Sequence, residues 1–371
     1  MIKILFTIGR LSVGGAEKLL VHQLPTIDRS VFDPHLLTLF PETKESLRDK
    51  IKLPAGHWQK ENFYSLFDLP AWVRLVRYLR KEKFDVAVTS LFSANLIVRI
   101  ASIIAGIPTI IAYEHNLYPD KHAWQIWIDR QLSKWTHTII TDAETVRIFT
   151  SKQEGIPIEK FLTMYIPPLL DAKAPQDPAM LRKELGIPES SKIILTVSRL
   201  VPEKGHLYLI DAAKKVLQEM PSAYFILVGW GPLESNLKEQ VKKLGIERNV
   251  LLPGRMDIQD MLPLADIYTE PATNVDIGIA LMEAMRGEKA IIATEVGEMP
   301  VFIHNDKNGF LIKPADPSAL AEKILLLLKN ENIRARFGKA AGETIRNYSL
   351  SEYMKNFENL IKKALNRANA D

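Results

Sequence analysis

The hydrophobic pattern in the first half of the chain alternates between short apolar runs and segments of helical periodicity. A short apolar run indicates a buried strand, whereas apolar positions that recur every three or four residues indicate an amphipathic helix. The sequence predicts strands at 2–8, 34–40, 84–90, 109–113 and 137–141, and helices at 16–24, 69–81, 94–105, 122–134 and from residue 144. This strand–helix repetition favours a parallel, doubly wound sheet.

Proline interrupts the alternation near the middle of the chain. Pro167, Pro168, Pro175 and Pro178 fall within twelve residues. Because proline continues neither a helix nor a central strand, this stretch predicts an interdomain linker. The alternation then restarts, with strands predicted at 192–197, 224–228, 250–253, 267–270 and 290–293. A chain of 371 residues is long enough for two domains of this kind.

The last segment, 351–368, has the periodicity of one amphipathic helix that no strand follows. Its apolar face consists of Tyr353, Phe357, Leu360, Ile361 and Leu365. An apolar stripe on a terminal helix must be buried against something, and we expect it to pack on the first domain. The predicted domains are therefore residues 1–168 together with 351–368, and residues 169–350.

Composition and charge narrow the classes of protein. The chain has no cysteine, which excludes disulfides and zinc–thiolate sites and fits a reducing, cytoplasmic compartment. The apolar region 96–112 is interrupted by Arg99, Gly106 and Pro108, so no membrane span is predicted, and the apolar N-terminus is too short for a secretory signal. The net charge of +4 is too small for a nucleic-acid binder. The whole excess lies in residues 1–170, which is compatible with attraction to an anionic surface.

Two cations follow the predicted strand at 192–197. Arg199 leaves the end of this strand, and Lys204 and Gly205 lead into a predicted helix at 206–218. Ligands of α/β sheets bind at the carboxyl edge of the strands, and a helix N-terminus favours anions. A planar guanidinium and a compact ammonium together suit a diphosphate. The alternative is a surface loop with two solvated cations.

Two further groups lie at predicted strand ends in the first half. Gly14 and Gly15 separate the first strand from the first helix and would let backbone N–H groups approach a phosphate. Their spacing is not GxGxxG, so a dinucleotide site is not predicted, and a plain tight turn is the alternative. His115 follows the strand at 109–113, where it could donate to a substrate oxygen, act as acid or base, or be structural.

Glu283 stands among apolar residues of a predicted helix in the segment DIGIALMEAMR, residues 276–286. A buried carboxylate needs a partner, which ribose hydroxyls or a neighbouring cation would supply. Asp276 is placed as an N-cap for this helix. Gly229 belongs to a glycine turn, VGWGP, that follows the strand at 224–228.

Taken together, these segments resemble the retaining glycosyltransferases of family 4, which have the GT-B fold. The resemblance runs through GGAEK, VSRLVPEKG, VGWGPL, NVLLPGRMDIQDMLPLADIY, GIALMEAMRGEKAIIATEVGEMP and NGFLIKPADPSALAEKI, in this order. It implies two Rossmann-like doubly wound domains facing across a cleft. The first domain would bind the acceptor, the second would bind the nucleotide-sugar donor, and the C-terminal helix would pack back on the first.

The resemblance also assigns roles to individual positions. It implies that Arg199 and Lys204 bind the donor diphosphate, that Gly14 and Gly15 face the same phosphates, and that His115 contacts the donor sugar near the reacting centre. Glu283 takes the position of the second glutamate of the family's Glu-seven-Glu motif, which holds the ribose. The matching donor segments also contain Gly229, Arg255, Asp276 and Gly278.

The first glutamate of that motif is replaced by Val275, which cannot hydrogen-bond a sugar. The sugar contacts are therefore altered, and Asp276, Glu298 or Glu270 could compensate. A non-catalytic or degenerate nucleotide-sugar-binding protein of the same fold is the alternative function. A GT-B phosphorylase or synthase and a nicotinamide oxidoreductase are less favoured, because neither a lysine-anchored cofactor site nor a dinucleotide motif is evident.

The expected reaction moves a sugar from a nucleoside diphosphate sugar to an acceptor, with retention at the anomeric carbon. Arg199 and Lys204 would stabilise the charge of the leaving diphosphate, so no metal ion or other cofactor is expected. Basic and aromatic residues on and beyond the helix at 69–81 predict contact with an anionic membrane surface and a lipid-linked or cell-envelope glycan acceptor, and an ordinary solvated helix is the alternative. These residues are Trp72, Arg74, Arg77, Tyr78, Arg80, Lys81 and Lys83, and the same half holds five of the six tryptophans, Trp58, Trp72, Trp124, Trp127 and Trp135.

Overall fold

In the computed structural model the chain divides into two compact units. One consists of Met1–Ile166 with Leu350–Asp371, and the other of Pro167–Ser349. The structure describes residues 1–42, 46–169, 175–274 and 278–368.

The first unit contains, within its described residues, a parallel sheet with the strand order β3-β2-β1-β4-β5-β6-β7. The order reverses between β1 and β4, as doubly wound sheets require. The strands are β1 (Ile2–Ile8), β2 (Phe32–Thr38), β3 (Trp58–Lys60), β4 (Val86–Ser90), β5 (Thr109–Glu114), β6 (Thr138–Thr141) and β7 (Phe161–Thr163). The helices are α1 (Gly15–Thr26), α2 (Leu69–Glu82), α3 (Phe92–Ala105), α4 (Ala123–Leu132) and α5 (Glu144–Glu154).

The second unit repeats this plan with a parallel sheet of order β10-β9-β8-β11-β12-β13, which reverses between β8 and β11. The strands are β8 (Ile193–Val197), β9 (Tyr224–Val228), β10 (Val250–Gly254), β11 (Ile267–Glu270), β12 (Ala290–Thr294) and β13 (Gly309–Ile312). The helices are α6 (Pro178–Glu184), α7 (His206–Glu219), α8 (Glu234–Leu244), α9 (Ile258–Met261), α10 (Ile279–Arg286), α11 (Met299–Phe302), α12 (Pro317–Lys329) and α13 (Glu331–Ile345).

The last helix, α14 (Leu350–Ala368), packs on the first unit. Its buried face consists of Tyr353, Met354, Phe357, Ile361 and Ala364. Phe357 stacks on Phe6 of β1 with ring centroids 5.9 Å apart. The predicted docking of this helix is confirmed, and the aromatic side chains on its apolar face contact the sheet directly.

Strand register fixes which residues meet at the carboxyl edge of the first sheet. In the parallel pairing of β5 with β6, Glu114 lies opposite Thr141. The next residues along these strands, His115 and Asp142, are therefore neighbours just beyond the last paired rung. Adjacent strand ends thus bring together side chains that are far apart in sequence.

Candidate functional site

The two predicted cations lie at the point where the strand order of the second sheet reverses. Arg199 follows β8, and Lys204 ends a short 3-10 turn, Pro202–Lys204, that leads into α7 at His206. A crevice at the carboxyl edge forms at such a reversal and is the usual ligand site of an open α/β sheet. The positive end of the α7 dipole adds to the charge of the two side chains.

Lys204 is buried and paired with a carboxylate. Its side chain is 6% exposed, and its Nζ atom lies 3.8 Å from Oε1 of the fully buried Glu270. The Tyr268 hydroxyl donates to the other oxygen of Glu270 at 3.2 Å. Burial raises the pKa of Glu270, and the charge of Lys204 opposes this increase. Glu270 therefore holds the ammonium in place, and an ammonium has three donors to distribute.

Two other cations at this edge are exposed. The side chain of Arg199 is 66% exposed and lies 3.9 Å from Glu203. Arg255, which follows β10, places its guanidinium 5.0 Å from the ring centroid of Trp230. Trp230 follows β9. The residues around this surface therefore come from the ends of three neighbouring strands, β8, β9 and β10. The guanidinium groups of Arg199 and Arg255 thus lie at the surface, whereas Lys204 is buried and held in a fixed position.

Glycine allows the backbone of this loop to pack closely. Gly205 has φ +67°, and a Cβ atom there would lie 1.9 Å from the carbonyl oxygen of Pro271. Gly229 has φ +149°, and its Cβ would lie 1.9 Å from the carbonyl oxygen of Ser198. Any side chain at either position would displace the turn that carries Arg199 and Lys204. The structure thus places Gly229 against this loop, where it shapes the candidate site.

The predicted ribose-binding helix begins beside the same carboxylate. Gly278 is the N-cap of α10, and a Cβ atom there would lie 3.1 Å from Oε2 of Glu270. Glu283, in the second turn of this helix, is buried with 2% of its surface exposed. Of the three residues named as compensating for Val275, Glu270 and Glu298 are buried. Asp276 lies outside the described residues, as does Val275 itself.

His206 also supports the loop, although its role was not predicted from the sequence. Its Nε2 atom lies 3.1 Å from both the Ser198 Oγ atom and the Arg199 carbonyl oxygen. Burial lowers the pKa of His206 to about 4. The neutral ring therefore donates its Nε2–H to the carbonyl of Arg199 and ties this turn to the start of α7. Its position directly after Gly205 was the only sequence signal.

In the first unit, Gly14 is the extended N-cap of α1, and Gly15 is the first helical residue. A Cβ atom on Gly14 would lie 2.4 Å from Oε2 of Glu17, whose Oε1 accepts a hydrogen bond from Ser12. The Glu17 carboxylate thus lies at the positive end of α1, where an acidic side chain is stabilised. The Glu17 carboxylate therefore occupies the helix end at which the resemblance places the phosphate contacts of Gly14 and Gly15.

His115 is held from two sides at the carboxyl edge of the first sheet. Its Nδ1 atom lies 3.3 Å from Oδ2 of Asp142, and its ring stacks on Tyr113 with centroids 4.0 Å apart and planes 6° apart. Sequence reasoning did not identify Asp142. The available signal was its position directly after the predicted strand at 137–141, which mirrors the position of His115.

One group of three potential metal ligands occurs in the described parts of the chain, formed by Asp33, His35 and His57. It lies at the amino end of β2 and just before β3, at the opposite edge of the sheet from His115. The two imidazole rings stack in parallel, 6° apart with centroids separated by 4.1 Å. His57 Nδ1 also lies 3.1 Å from the Pro34 carbonyl oxygen and acts as a donor there. This cluster is a hydrogen-bonded stack, because parallel rings do not direct their lone pairs at one point.

Two family models match the chain, one in each unit. Residues 13–165 match "Glycosyltransferase Family 4", and residues 179–344 match "Glycosyl transferases group 1". The chain belongs to the group 1, family 4 glycosyltransferases. The predicted family membership is thereby confirmed.

Curated relatives resemble parts of the chain. N-acetyl-alpha-D-glucosaminyl L-malate synthase of Bacillus anthracis is 32% identical over 48% of this chain and 46% of that protein. UDP-Gal:alpha-D-GlcNAc-diphosphoundecaprenol alpha-1,3-galactosyltransferase of Escherichia coli is 25% identical over 69% of each chain. The chain spans about half the length of several of the relatives it matches, including D-inositol 3-phosphate glycosyltransferase of Corynebacterium glutamicum at 48%.

Solved structures resemble the whole chain. HepE of Anabaena in complex with UDP superposes with a TM-score of 0.81 at 22% identity, covering 98% of this chain and 100% of that one. A glycosyltransferase of Rickettsia africae gives a TM-score of 0.82 at 19% identity, covering 98% of both chains. At these identities the likeness concerns the fold, and with the two parallel sheets it confirms the predicted GT-B fold.

Proposed function

We propose that the protein transfers a sugar from a nucleoside diphosphate sugar to a glycan or lipid-linked acceptor, with retention at the anomeric carbon. The observation that carries this proposal is the position of Arg199 and Lys204 at the reversal of strand order, beside the N-terminus of α7. Among the relatives, the Escherichia coli enzyme is named for transfer from UDP-Gal to a diphosphoundecaprenol-linked sugar.

In this proposal the second unit binds the donor. Arg199 and Lys204 bind the diphosphate, Glu283 accepts hydrogen bonds from the ribose, and Arg255, Gly229 and Gly278 belong to the surrounding surface. Asp276 is assigned to donor binding by the resemblance alone. Negative charge grows on the diphosphate as the glycosidic bond breaks, and fixed cations stabilise it without reorganising. We therefore assign this role to protein cations and propose that no metal ion is needed. The leaving phosphate would help to deprotonate the acceptor on the same face of the sugar.

Replacing Arg199 by Ala tests the diphosphate assignment. The unmodified protein is screened by thermal shift against UDP, GDP and their sugar conjugates, and each ligand that stabilises it is tested again with the variant. Loss of two charge-assisted hydrogen bonds should weaken binding by about 2–4 kcal/mol. Lys243→Ala is the matched control, because Lys243 lies near the far end of α8 and pairs with Glu239. An equal thermal shift in Arg199→Ala and in the unmodified protein would show that the phosphate site lies elsewhere.

The degenerate binder that Val275 motivates predicts a different result with the same ligands. A transferase should hydrolyse its nucleotide-sugar slowly without an acceptor and release free nucleoside diphosphate. A binder should be stabilised by the ligand and leave it intact. Chromatography of the nucleotide after prolonged incubation distinguishes a transferase from a binder. Val275→Glu should increase turnover only if the missing carboxylate limits it.

We also propose that the first unit contacts an anionic lipid surface, through a different face from the one the sequence indicated. Trp72 is half-buried against Phe63, and the hydroxyl of Tyr78 is buried. The exposed aromatic residues lie on and after α4: Trp124 is 48% exposed, Trp127 62% and Trp135 63%. No described helix combines the length and hydrophobicity needed to cross a bilayer.

Charge and shape support this lipid-facing surface. Trp124 and Trp127 are three residues apart and share one side of α4. Arg130 and Lys134 are exposed beside them, whereas the acidic residue of this helix, Asp129, is buried in ion pairs with Arg99 and Lys121. Tryptophan beside exposed cations is typical of a surface that contacts an anionic bilayer interface.

Vesicle flotation tests this surface. The protein should float with vesicles that contain phosphatidylglycerol at low salt and release them at high salt, because screening weakens the attraction. Replacing Trp124, Trp127 and Trp135 by Ala should weaken binding about tenfold or more, since apolar burial is lost. Met180→Ala removes a 63% exposed side chain from the other unit and should bind like the unmodified protein. Absence of flotation at low salt would refute the proposal.

A further inference from the structure

A carboxylate is buried directly beside the predicted diphosphate site of the second unit. Glu270 ends β11, and none of its surface is exposed. Its Oε1 atom lies 3.8 Å from Nζ of Lys204, which is too far for a hydrogen bond, and this oxygen has no hydrogen-bond partner in the described parts of the chain. Buried polar atoms are normally hydrogen-bonded, so the negative charge of Glu270 is only partly compensated.

The surrounding backbone keeps this carboxylate in place. Glu270 pairs with Ala293 of β12, and the Thr294 hydroxyl donates to the Glu270 carbonyl oxygen at 3.4 Å. Gly278, the N-cap of α10, is so close that a Cβ atom there would lie 3.1 Å from Oε2. The carboxylate is therefore confined beside Lys204, and a proton is the simplest way to remove its charge.

Lys204 and Tyr268 are the charged or titratable groups that act on Glu270 among the described residues. The Tyr268 hydroxyl donates to Oε2 at 3.2 Å. Glu283 of α10 adds a negative charge that acts on Tyr268. His206, at the start of α7, is within the electrostatic reach of Lys204, but it is uncharged near neutral pH because burial lowers its pKa to about 4. Lys204 is thus the cation that compensates Glu270.

The ionised form of Glu270 depends on the charge of Lys204. Burial raises the pKa of Glu270, whereas Lys204 and the hydrogen bond from Tyr268 oppose this increase. A diphosphate bound by the same ammonium would bring a second anion close to the carboxylate. Two anions that share one cation in buried surroundings repel each other, and one of them is then protonated. That anion is Glu270, because a diphosphate ester stays ionised far below neutral pH.

We infer that Glu270 takes up a proton from the solvent when the diphosphate of the donor binds to Lys204. This role rests on the proposed function, because it takes the anion at Lys204 to be the donor diphosphate. The proton adds at Oε1, while Oε2 keeps its hydrogen bond from Tyr268. Glu270 is the counter-ion of Lys204 in the absence of ligand, and its neutralisation lets the ammonium direct its full charge at the ligand. Glu270 thus acts through Lys204 as a positioning residue.

Titration calorimetry measures this proton, with UDP-glucose or GDP-mannose as the probe, whichever stabilises the protein in the thermal-shift screen. Neither nucleotide-sugar has a phosphate group that titrates near neutral pH, so a proton taken up enters the protein. Between about pH 6 and 8.5, the heat of binding should depend on the ionisation heat of the buffer and show a maximum uptake of about half a proton to one proton. Around that maximum, affinity should increase about threefold to tenfold for each unit that the pH falls.

Glu270→Gln keeps the shape of the side chain and removes the titrating group. This variant should bind the same nucleotide-sugar without proton uptake, and its affinity should no longer change with pH. Glu239→Gln is the matched control, because Glu239 is an exposed acid of α8 that pairs with Lys243. The control should take up as many protons as the unmodified protein. Melting temperatures without ligand show whether each variant is folded.

Infrared difference spectra give a second readout. Addition of the nucleotide-sugar to the unmodified protein should produce the carbonyl band of a protonated carboxylic acid, and Glu270→Gln should lack this band. A merely structural role of Glu270 would alter stability without producing it. Glu270→Leu, a second uncharged variant, replaces Glu270→Gln if the amide prevents folding.

The outcomes separate this role of Glu270 from the proposed function. Binding without proton uptake at every pH tested, or without the new infrared band, would overturn the inference and leave the proposed function intact. Equal uptake by Glu270→Gln would place the proton on another group and overturn the inference as well. If no nucleotide-sugar of the screen binds the unmodified protein, the proposed function fails, and the role of Glu270 fails with it.

Discussion

His206 shows how one buried side chain controls the shape of a charged loop. Its Nε2–H donates to the carbonyl of Arg199, and the residue lies at the start of α7, directly after the turn that carries both cations. Burial lowers the pKa of His206 to about 4, against about 6.5 in an unfolded chain. The folded state therefore disfavours the proton that the unfolded state accepts readily.

The sign of the resulting pH dependence follows from that difference. The stabilisation is fully present above pH 6.5 and decreases as the pH falls from 6.5 toward 4. Between pH 7.5 and 5.0, the unmodified protein should lose about 2 kcal/mol more of its free energy of unfolding than His206→Gln does. Urea denaturation at both pH values measures this difference. His304→Gln, at an exposed histidine, should behave like the unmodified protein, and equal losses in all three would exclude His206 as the cause.

The roles of some residues could be predicted from the sequence, and those of others could not. Arg199, Lys204 and Gly205 lie within seven residues of one another, so this local sequence and the strand before it predict a cationic loop. Asp142 and His206 gain their roles from contacts that the sequence does not spell out. The Asp142 contact depends on the register of β5 with β6, and that of His206 on a backbone carbonyl. The sequence indicated Glu270 only as a compensating carboxylate. Its burial beside Lys204 is evident only from the fold.

Among the secondary-structure elements, α14 makes a particularly specific contribution to the first unit. Phe357 is fully buried, stacks on Phe6 and lies beside Tyr353. Phe357→Ala should lower the free energy of unfolding by about 3–5 kcal/mol, because it removes a large side chain and leaves a cavity. Chemical denaturation measures the loss. Asn359→Ala, at an exposed position of the same helix, should change stability little, and a small effect of Phe357→Ala would contradict the packing described.

Long elements with a clear period could be predicted, and short elements at sheet edges could not. The predicted helix at 69–81 is observed as Leu69–Glu82, and that at 351–368 as Leu350–Ala368. The strands β3, β7 and β13 were not predicted. They contain three or four residues and lie at the edges of their sheets, where pairing with one neighbour decides whether a strand forms. A run that short has no detectable period.

At the scale of the whole molecule, both halves follow the same plan. Each sheet reverses its strand order once, and each brings a candidate group to its carboxyl edge, His115 in one unit and the Arg199–Lys204 loop in the other. Strand–helix repetition predicted two doubly wound sheets, but the order of their strands is a tertiary property. The excess positive charge of the first half was evident from the sequence, whereas the exposed tryptophans around α4 could be distinguished from buried ones only in the fold.

The packing of α14 has a consequence for how the chain is made. This helix covers Phe6 and contacts Tyr113, yet all of Pro167–Ser349 separates it from the rest of its unit in sequence. At roughly 5–20 residues per second, a ribosome needs about 10 to 40 s to synthesise that intervening stretch. During this interval the unit that emerges first keeps an apolar surface uncovered, while the unit that emerges second has all of its own residues. The unit that contains β1 is therefore completed after the unit that interrupts it, and its nascent form is the natural client for a chaperone.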